Sequence, residues 1–372
     1  MYEKNIYASH RNNGAIEFVP RFDLNNDGFV DIYTTNRVLH CTYIYWGSAS
    51  GYSIDNRTTY QFSGVGGNCD AADVNFDGYA EILCAPLQSS GLYIYHGSAN
   101  GPNPYNPSIL SIPSSWNESG LFADLNKDGY IDIVTGNRFS NQASIFWGSA
   151  SGYSNSNSAE LPTQSGQHNI EVADFNKDNW LDILFVNDNS TYNYIYWGSP
   201  SGYSPGNLKR LINSGNGHGS SVGDLNSDGY LDLIFTTTNS NTAYIYYGTP
   251  SGYSNYVALN PGQGNGSGYG GSSIADFNLD GFLDIVFFTV GYSMVYWGSA
   301  SGFSDNNRYP IPIQIWSSSG FVCDFNDDGA LDVLLGNWGG MVLHTLHGGR
   351  ALRPHKHLVL TMTTTECFLR LA

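Results

Sequence analysis

Between Gly120 and Gly166 the apolar positions fall in four short bursts separated by polar turns. A brief apolar run (LFAD) enters a polar segment and a second run (YIDIV) leaves it. After a polar loop comes an alternating aromatic stretch ending in a turn (SIFWGSASGYS), and SAELPTQSG closes the unit. Short runs of this kind, bounded by Gly, Asn and Ser, predict strands joined by turns, and no segment shows the period of an amphipathic helix. The same grammar recurs along the chain about every fifty residues, a period that points to a propeller or a solenoid. Four short strands per repeat read as one propeller blade. The expectation is an all-β chain: a seven-bladed β-propeller with four antiparallel strands per blade, one domain over residues 1–340, followed by an atypical tail over 341–372.

The most regular part of each repeat is a nonapeptide, DLNKDGYID at Asp124 to Asp132 in the third copy. Copies begin at Asp23, Asp73, Asp124, Asp174, Asp224, Asp276 and Asp324, so successive starts are 50, 51, 50, 50, 52 and 48 residues apart. Oxygen-bearing side chains stand at positions 1, 3, 5 and 9 of every copy. They are Asp23, Asn25, Asp27 and Asp31; Asp73, Asn75, Asp77 and Glu81; Asp124, Asn126, Asp128 and Asp132; Asp174, Asn176, Asp178 and Asp182; Asp224, Asn226, Asp228 and Asp232; Asp276, Asn278, Asp280 and Asp284; and Asp324, Asn326, Asp328 and Asp332. Position 6 is a residue tolerant of positive φ, Gly in six copies and Asn179 in the fourth. Such a turn gathers the oxygens about one point, and the position-7 carbonyl adds a fifth donor. A hard cation needs that arrangement, and calcium fits it better than zinc, which prefers sulfur and imidazole. Asp-Asn-Gly clusters also make plain turns, but a plain turn asks for no acid at position 9. Up to seven calcium ions are expected.

The net charge is −17, yet positions 1, 5 and 9 of the loops hold most of the 32 acids. Seven divalent ions would bring the formal charge to about −3, so the acidity belongs to the loops. It is no footprint for a basic partner, and no basic stripe for nucleic acid is present. Aromatic residues make up 15% of 372 residues and no apolar run is long enough for a membrane span, which predicts a chain with ample core.

A second signature is the turn Tyr45-Trp46-Gly47-Ser48-Ala49-Ser50-Gly51, which returns near Tyr95, Phe146, Tyr196, Tyr246 and Tyr296. Aromatics of this kind stack on sugars, but one type recurring at one place in every repeat reads first as packing between blades.

These residues resemble the FG-GAP or VCBS repeats of the integrin α-subunit propeller and of many bacterial secreted proteins. The resemblance runs from about Ile16 to Gly339 and is carried by segments such as DVNFDGYAEILCAPLQSSGLYIYHG, Asp73 to Gly97. It implies a seven-bladed propeller with calcium in the hairpin between the first two strands of each blade, and ligands on the opposite face. The metal loop in all seven repeats departs from the integrin pattern and favours the bacterial proteins. On the face the resemblance assigns to ligands, Asn recurs as Asn36, Asn137, Asn187 and Asn337, and Arg37 and Arg138 follow two of them. These six are the expected ligand contacts, with the arginines placed to hold acidic sugars or carboxylates; alternatively the asparagines only cap turns.

The five cysteines lack the close paired spacing of a zinc or redox motif. Cys69 and Cys84 flank the second loop nearly symmetrically, which raises a cross-strand disulfide against the alternative of two small core residues. No nucleophile with a base stands at an informative spacing; His10, His168, His218, Glu118 and Glu171 fall in segments between repeats. Residues 1–22 lack an apolar leader, so the protein is cytosolic or its start is missing. Weak loops need millimolar calcium, which argues for a secreted or cell-surface setting. From Gly339 onward Asn, Asp, Ser and Tyr vanish, a break read as a shifted frame that would leave the residues after Gly340 poorly ordered or misplaced. The reading that follows is a non-enzymatic, calcium-stabilised binding or adhesion module for a glycan or extracellular protein, a monomer or part of a larger chain. The alternatives are a carbohydrate-active enzyme, the accessory propeller of one, or a structural spacer.

Overall fold

A computed structural model describes residues 6–10, 16–20, 23–36, 40–112, 116–163, 166–213, 217–238, 240–262, 271–323, 331–337, 340–345, 358–362 and 367–371. The chain divides into two compact units, Phe22–Ile212 and Met1–Arg21 with Asn213–Ala372.

The unit Phe22–Ile212 holds four successive antiparallel sheets. The first has three strands, Ile32–Asn36, Cys41–Tyr45 and Arg57–Gln61. Each of the next three has four: Cys69–Ala72, Glu81–Cys84, Gly91–Tyr95 and Ser108–Ser111; Asn117–Ala123, Asp132–Asn137, Gln142–Phe146 and Ser158–Pro162; Gln167–Ala173, Asp182–Asn187, Tyr192–Tyr196 and Leu208–Ile212. The second and third strands of blades 3 and 4 are buried almost throughout, whereas the fourth alternates and faces outward. Continuous burial arises because each sheet is covered on both faces by its neighbours. Val134, Ile145 and Leu161 of the third blade thus share one core with Ile170, Ile183 and Phe185 of the fourth.

In the other unit, Ile6–His10 pairs with Ile16–Pro20, and Gly217–Gly223, Asp232–Thr237, Ala243–Tyr246 and Tyr256–Leu259 form a four-stranded blade. An eight-stranded sheet follows. Its strand Arg308–Cys323 is the fourth strand of the sixth blade, after Ser272–Ala275, Asp284–Phe287 and Val290–Tyr296, and continues as the first strand of the seventh. Asp332–Asn337, Gly340–Thr345 and Leu358–Met362 complete that blade, and Cys367–Leu371 adds a further strand.

The chain is therefore all-β, and its described residues form six four-stranded blades and one sheet of three. Among the described residues the first blade has three strands where four were expected, and Ile16–Pro20 pairs with Ile6–His10, Ile6 opposite Pro20. The described tail residues are strands of the last sheet, in register with Asp332–Asn337. Cys69 lies directly opposite Cys84, their Cα atoms 4.3 Å apart, and the two are disulfide-bonded. The apparent one-residue offset is absorbed by the loop between them.

The aromatic turn packs neighbouring blades together. Trp46 of the first blade rests on Gly101 of the second, where a Cβ would stand 2.3 Å from the indole. Tyr60 meets Tyr95 edge-on at 5.0 Å and donates its hydroxyl to the Pro102 carbonyl at 2.8 Å.

Candidate metal centre

Six of the nonapeptides lie among the described residues and share one hydrogen-bonded conformation. In the third, the Asp128 and Gly129 amides donate to the two Asp124 oxygens at 3.2 and 3.1 Å. Asp128 N–H also donates to Asn126 Oδ1 at 2.9 Å, and Tyr130 N–H to Asp128 Oδ1 at 2.9 Å. Position 6 has positive φ, 87° at Gly129 and 68° at Asn179, as the residue pattern requires. Position 4 is left-handed too, at Asn26, Phe76, Lys127, Lys177, Ser227 and Leu279, with φ of 57–62°. Its identity varies freely, so nothing in the sequence marked it.

The acid at position 9 is buried and bridges two segments. Asp132 Oδ2 accepts from Leu125 N–H at 2.9 Å, and Oδ1 accepts from Gly148 N–H at 2.8 Å. Gly47, Gly97, Gly198, Gly248 and Gly298 make the same bond to Asp31, Glu81, Asp182, Asp232 and Asp284 at 2.7–3.0 Å. A Cβ on any of the six would come within 2.0–2.7 Å of the position-8 carbonyl oxygen, so only glycine lets the turn approach so closely. The aromatic turn is thus one wall of the acidic loop. Residue-by-residue reading missed this, although the constant spacing from Asp31 to Gly47 and from Asp132 to Gly148 carried the signal. Tyr52, Tyr203 and Tyr253 pin the same wall by donating to the position-8 carbonyl at 2.7 Å.

Burial, reinforced by the charges at positions 1 and 5, pushes the position-9 carboxyls up against the pull of their two amide donors. Asp31, Asp182, Asp232 and Asp284 rise to about 7 and Asp132 to about 6, and Glu81 is also raised. Bringing three acids together in this way disfavours their simultaneous ionisation, which a cation would relieve.

Among the described residues no three His, Cys, Asp or Glu side chains stand in a ready metal-holding cluster; the loops are closed on their own hydrogen bonds. The donor chemistry nevertheless fits a hard cation. Each loop offers three carboxylates, one amide oxygen and a main-chain carbonyl, and a carboxylate oxygen that accepts one N–H retains a second lone pair. Asp324, Asn326 and Asp328 lie outside the described residues, while Asp332 is buried at the start of its strand. Adjacent loops also touch: Asn26 Nδ2 donates to the Gly78 carbonyl at 2.9 Å, and Lys127 Nζ lies 4.8 Å from the Trp180 ring centre.

At the other end of the blades, Asn137 and Asn187 are buried rather than presented to solvent. Asn137 Oδ1 caps its turn by accepting from Phe139 and Ser140 N–H, both at 3.0 Å, and Asn187 Nδ2 donates to the Tyr192 carbonyl at 3.0 Å. Arg138 is ion-paired with Asp188 of the next blade at 2.5 Å. The expected ligand contacts from Asn137 and Asn187 therefore give way to turn capping. Asn36 and Asn337 each end a strand, but their side chains, and Arg37 altogether, lie outside the described residues. Of the other polar candidates, His168 is buried, and Glu171 accepts from Asn169 Nδ2 at 3.3 Å.

Successive four-stranded antiparallel blades, each with an acidic hairpin between its first two strands, define a β-propeller built from repeats. The chain belongs to the FG-GAP-like repeat family, whose model matches residues 23–84, 73–135, 124–185, 174–235, 224–287 and 276–335. These overlapping matches each run from one loop through the next. No curated protein matches the chain. Among solved structures it is similar to that of BBS1N in complex with ARL6DN, soaked with mercury, at TM-score 0.59 and 11% identity over 89% of this chain and 92% of the other. It is also similar to an Agrocybe aegerita lectin that recognises non-reducing terminal N-acetylglucosamine, at TM-score 0.56 and 16% identity over 92% of each chain. At these identities the likeness speaks for the fold.

Proposed function

We propose that this propeller is a calcium-binding, extracellular, non-catalytic module that binds glycans. The observation that carries the calcium reading is the repetition, in six loops, of one hydrogen-bonded turn holding the same oxygen donors beside a buried acid of raised pKa. A lone acidic turn has no need of a buried third carboxylate. The Cys69–Cys84 disulfide supports an oxidising compartment, where calcium is also millimolar. Glycan binding draws support from a lectin among the similar folds and from exposed aromatic side chains at the end of the blades opposite the loops. BBS1N, solved with a protein partner, keeps a protein ligand as the competing reading. Among the described residues no helix is long and apolar enough to cross a membrane.

The test is retention on an immobilised polysaccharide panel in millimolar calcium, with release of reducing ends followed in parallel. Retention without release is expected. Release of product would favour the carbohydrate-active alternative, and absence of retention on the whole panel would refute glycan binding.

A further inference from the structure

Phe139 follows the turn-capping Asn137 and is 61% exposed, although it is a large apolar side chain on a tight turn. Trp116, half-buried in the segment entering the same blade, supports it edge-on with ring centres 5.0 Å apart and planes at 80°. Beside the ring, the Arg138 guanidinium carbon stands 5.9 Å from the Phe139 centroid and the guanidinium pairs with Asp188 at 2.5 Å. The residues following the two aromatics, Asn117 and Ser140, line a small hollow whose other walls include Gln142, Ser144 and Glu160. An apolar ring face, an ion pair and a polar hollow thus share one corner.

The corner is held by backbone bonds rather than by the side chains it displays. Arg138 N–H donates to the Trp116 carbonyl at 2.9 Å, Gly166 N–H to the Arg138 carbonyl at 2.7 Å, and Asp188 N–H to the Gly166 carbonyl at 2.7 Å. Gly166 has φ of +95°, and a Cβ there would stand 2.6 Å from the Asn189 nitrogen. A platform already in place loses little freedom when a ligand settles on it.

Resting on the glycan-binding reading above, we propose that this corner of the third and fourth blades is a subsite for a neutral pyranose. The C–H face of the sugar lies on Phe139 while its hydroxyls accept from Arg138, whose side chain is 33% exposed against 9% for the Asp188 paired behind it. The ion pair decides the charge of the ligand. An arginine alone would favour an acidic sugar, but the buried Asp188 compensates Arg138, so a uronic acid gains no net attraction.

The experiment measures binding of a panel of glucose-, galactose-, mannose- and N-acetylglucosamine-based oligosaccharides, with oligogalacturonate as the anionic probe, by titration calorimetry in millimolar calcium. Thermal melts of every variant verify folding. Phe139→Ala should weaken binding of the retained neutral oligosaccharide by roughly tenfold, the scale of one aromatic stacking contact. Phe139→Tyr should retain it, and so should Tyr105→Ala, which removes an aromatic 91% exposed elsewhere on the chain. Asp188→Asn should raise affinity for oligogalacturonate by freeing the charge of Arg138, an effect that a purely structural aspartate would not produce. If a neutral oligosaccharide binds and Phe139→Ala leaves its affinity unchanged, the subsite is wrong while glycan binding stands. Binding confined to oligogalacturonate would overturn the charge argument. Failure of the wild type to bind any probe would overturn the function and the subsite with it.

Discussion

Removing calcium should destabilise the protein by an amount that depends on pH, and the two dependences run in opposite directions. Without metal, Asp31, Asp182, Asp232 and Asp284 have folded pKa values near 7 and Asp132 near 6, above the ordinary 3.8. A carboxyl raised in the folded state favours folding while protonated. That contribution is fully present below the unfolded pKa and is lost as pH rises through about 7, so the metal-free protein should be less stable at pH 8 than at pH 5. Calcium takes the ionised form, so its affinity falls by about twofold at pH 7 and ~100-fold at pH 5 for an acid of pKa about 7. With dissociation constants of ~10⁻⁴ to 10⁻³ M, calcium at ~1 mM contributes roughly 0.4 to 1.4 kcal/mol per loop at pH 8. Over the seven loops in the sequence that amounts to about 3 to 10 kcal/mol if additive, comparable to the ~5 to 15 kcal/mol net stability of a domain. At pH 5 the same calcium contributes less than ~0.1 kcal/mol per loop. With an unfolding entropy of ~2.1 cal/mol/K per residue over 372 residues, the shift at pH 8 corresponds to roughly 4 to 13 °C. The assay is thermal unfolding in 1 mM calcium against excess chelator at four pH values from 5 to 8, with proton release followed by calorimetry in buffers of different ionisation enthalpy. A calcium-induced shift that is equal at pH 5 and pH 8 would refute the buried-acid argument, and a melting temperature indifferent to chelator would remove the metal reading.

Gly148→Ala drives a Cβ to 2.3 Å from the Ile131 carbonyl, so it should cost about 1–3 kcal/mol by denaturant titration and weaken calcium at the third loop more than elsewhere. Breaking the Cys69–Cys84 bond, which closes a loop with a sequence separation of 15, should lower stability by about 3 kcal/mol; denaturant curves of Cys69→Ala with Cys84→Ala, and non-reducing peptide mapping, check it. Asn179→Gly relieves a left-handed residue at φ 68° and should stabilise the fourth blade by about 0.5–1 kcal/mol, with unchanged or tighter metal binding. An equal or lower melting temperature for that variant would show that the asparagine side chain contributes more than the backbone strain removes.

The repeat period, the shared turn of the six described loops and the left-handed position 6 were legible from residue order, because each rests on chemistry confined to nine consecutive residues. The four-strand grammar of the blade was legible for the same reason: alternation and turn residues act locally. What lay beyond the sequence depends on which distant segments meet. The N–H that fixes Asp132 comes from Gly148, sixteen residues away across the sheet, and the signature containing it read only as a packing turn. Register decided that Cys69 faces Cys84, where symmetry about the loop left a one-residue ambiguity. Local pairing drew Ile16–Pro20 into a hairpin, although its place before the first loop resembled that of every other first strand. The charge of Arg138 looked like an anion site until the fold set Asp188, fifty residues further on, against it. Asn137 and Asn187 recurred at a regular position because a turn needs its cap there, and only the packing of the blades revealed that both side chains are buried. Local backbone chemistry is written into short stretches of sequence, whereas burial, charge compensation and strand partnership are set by contacts between segments that the chain order alone does not bring together.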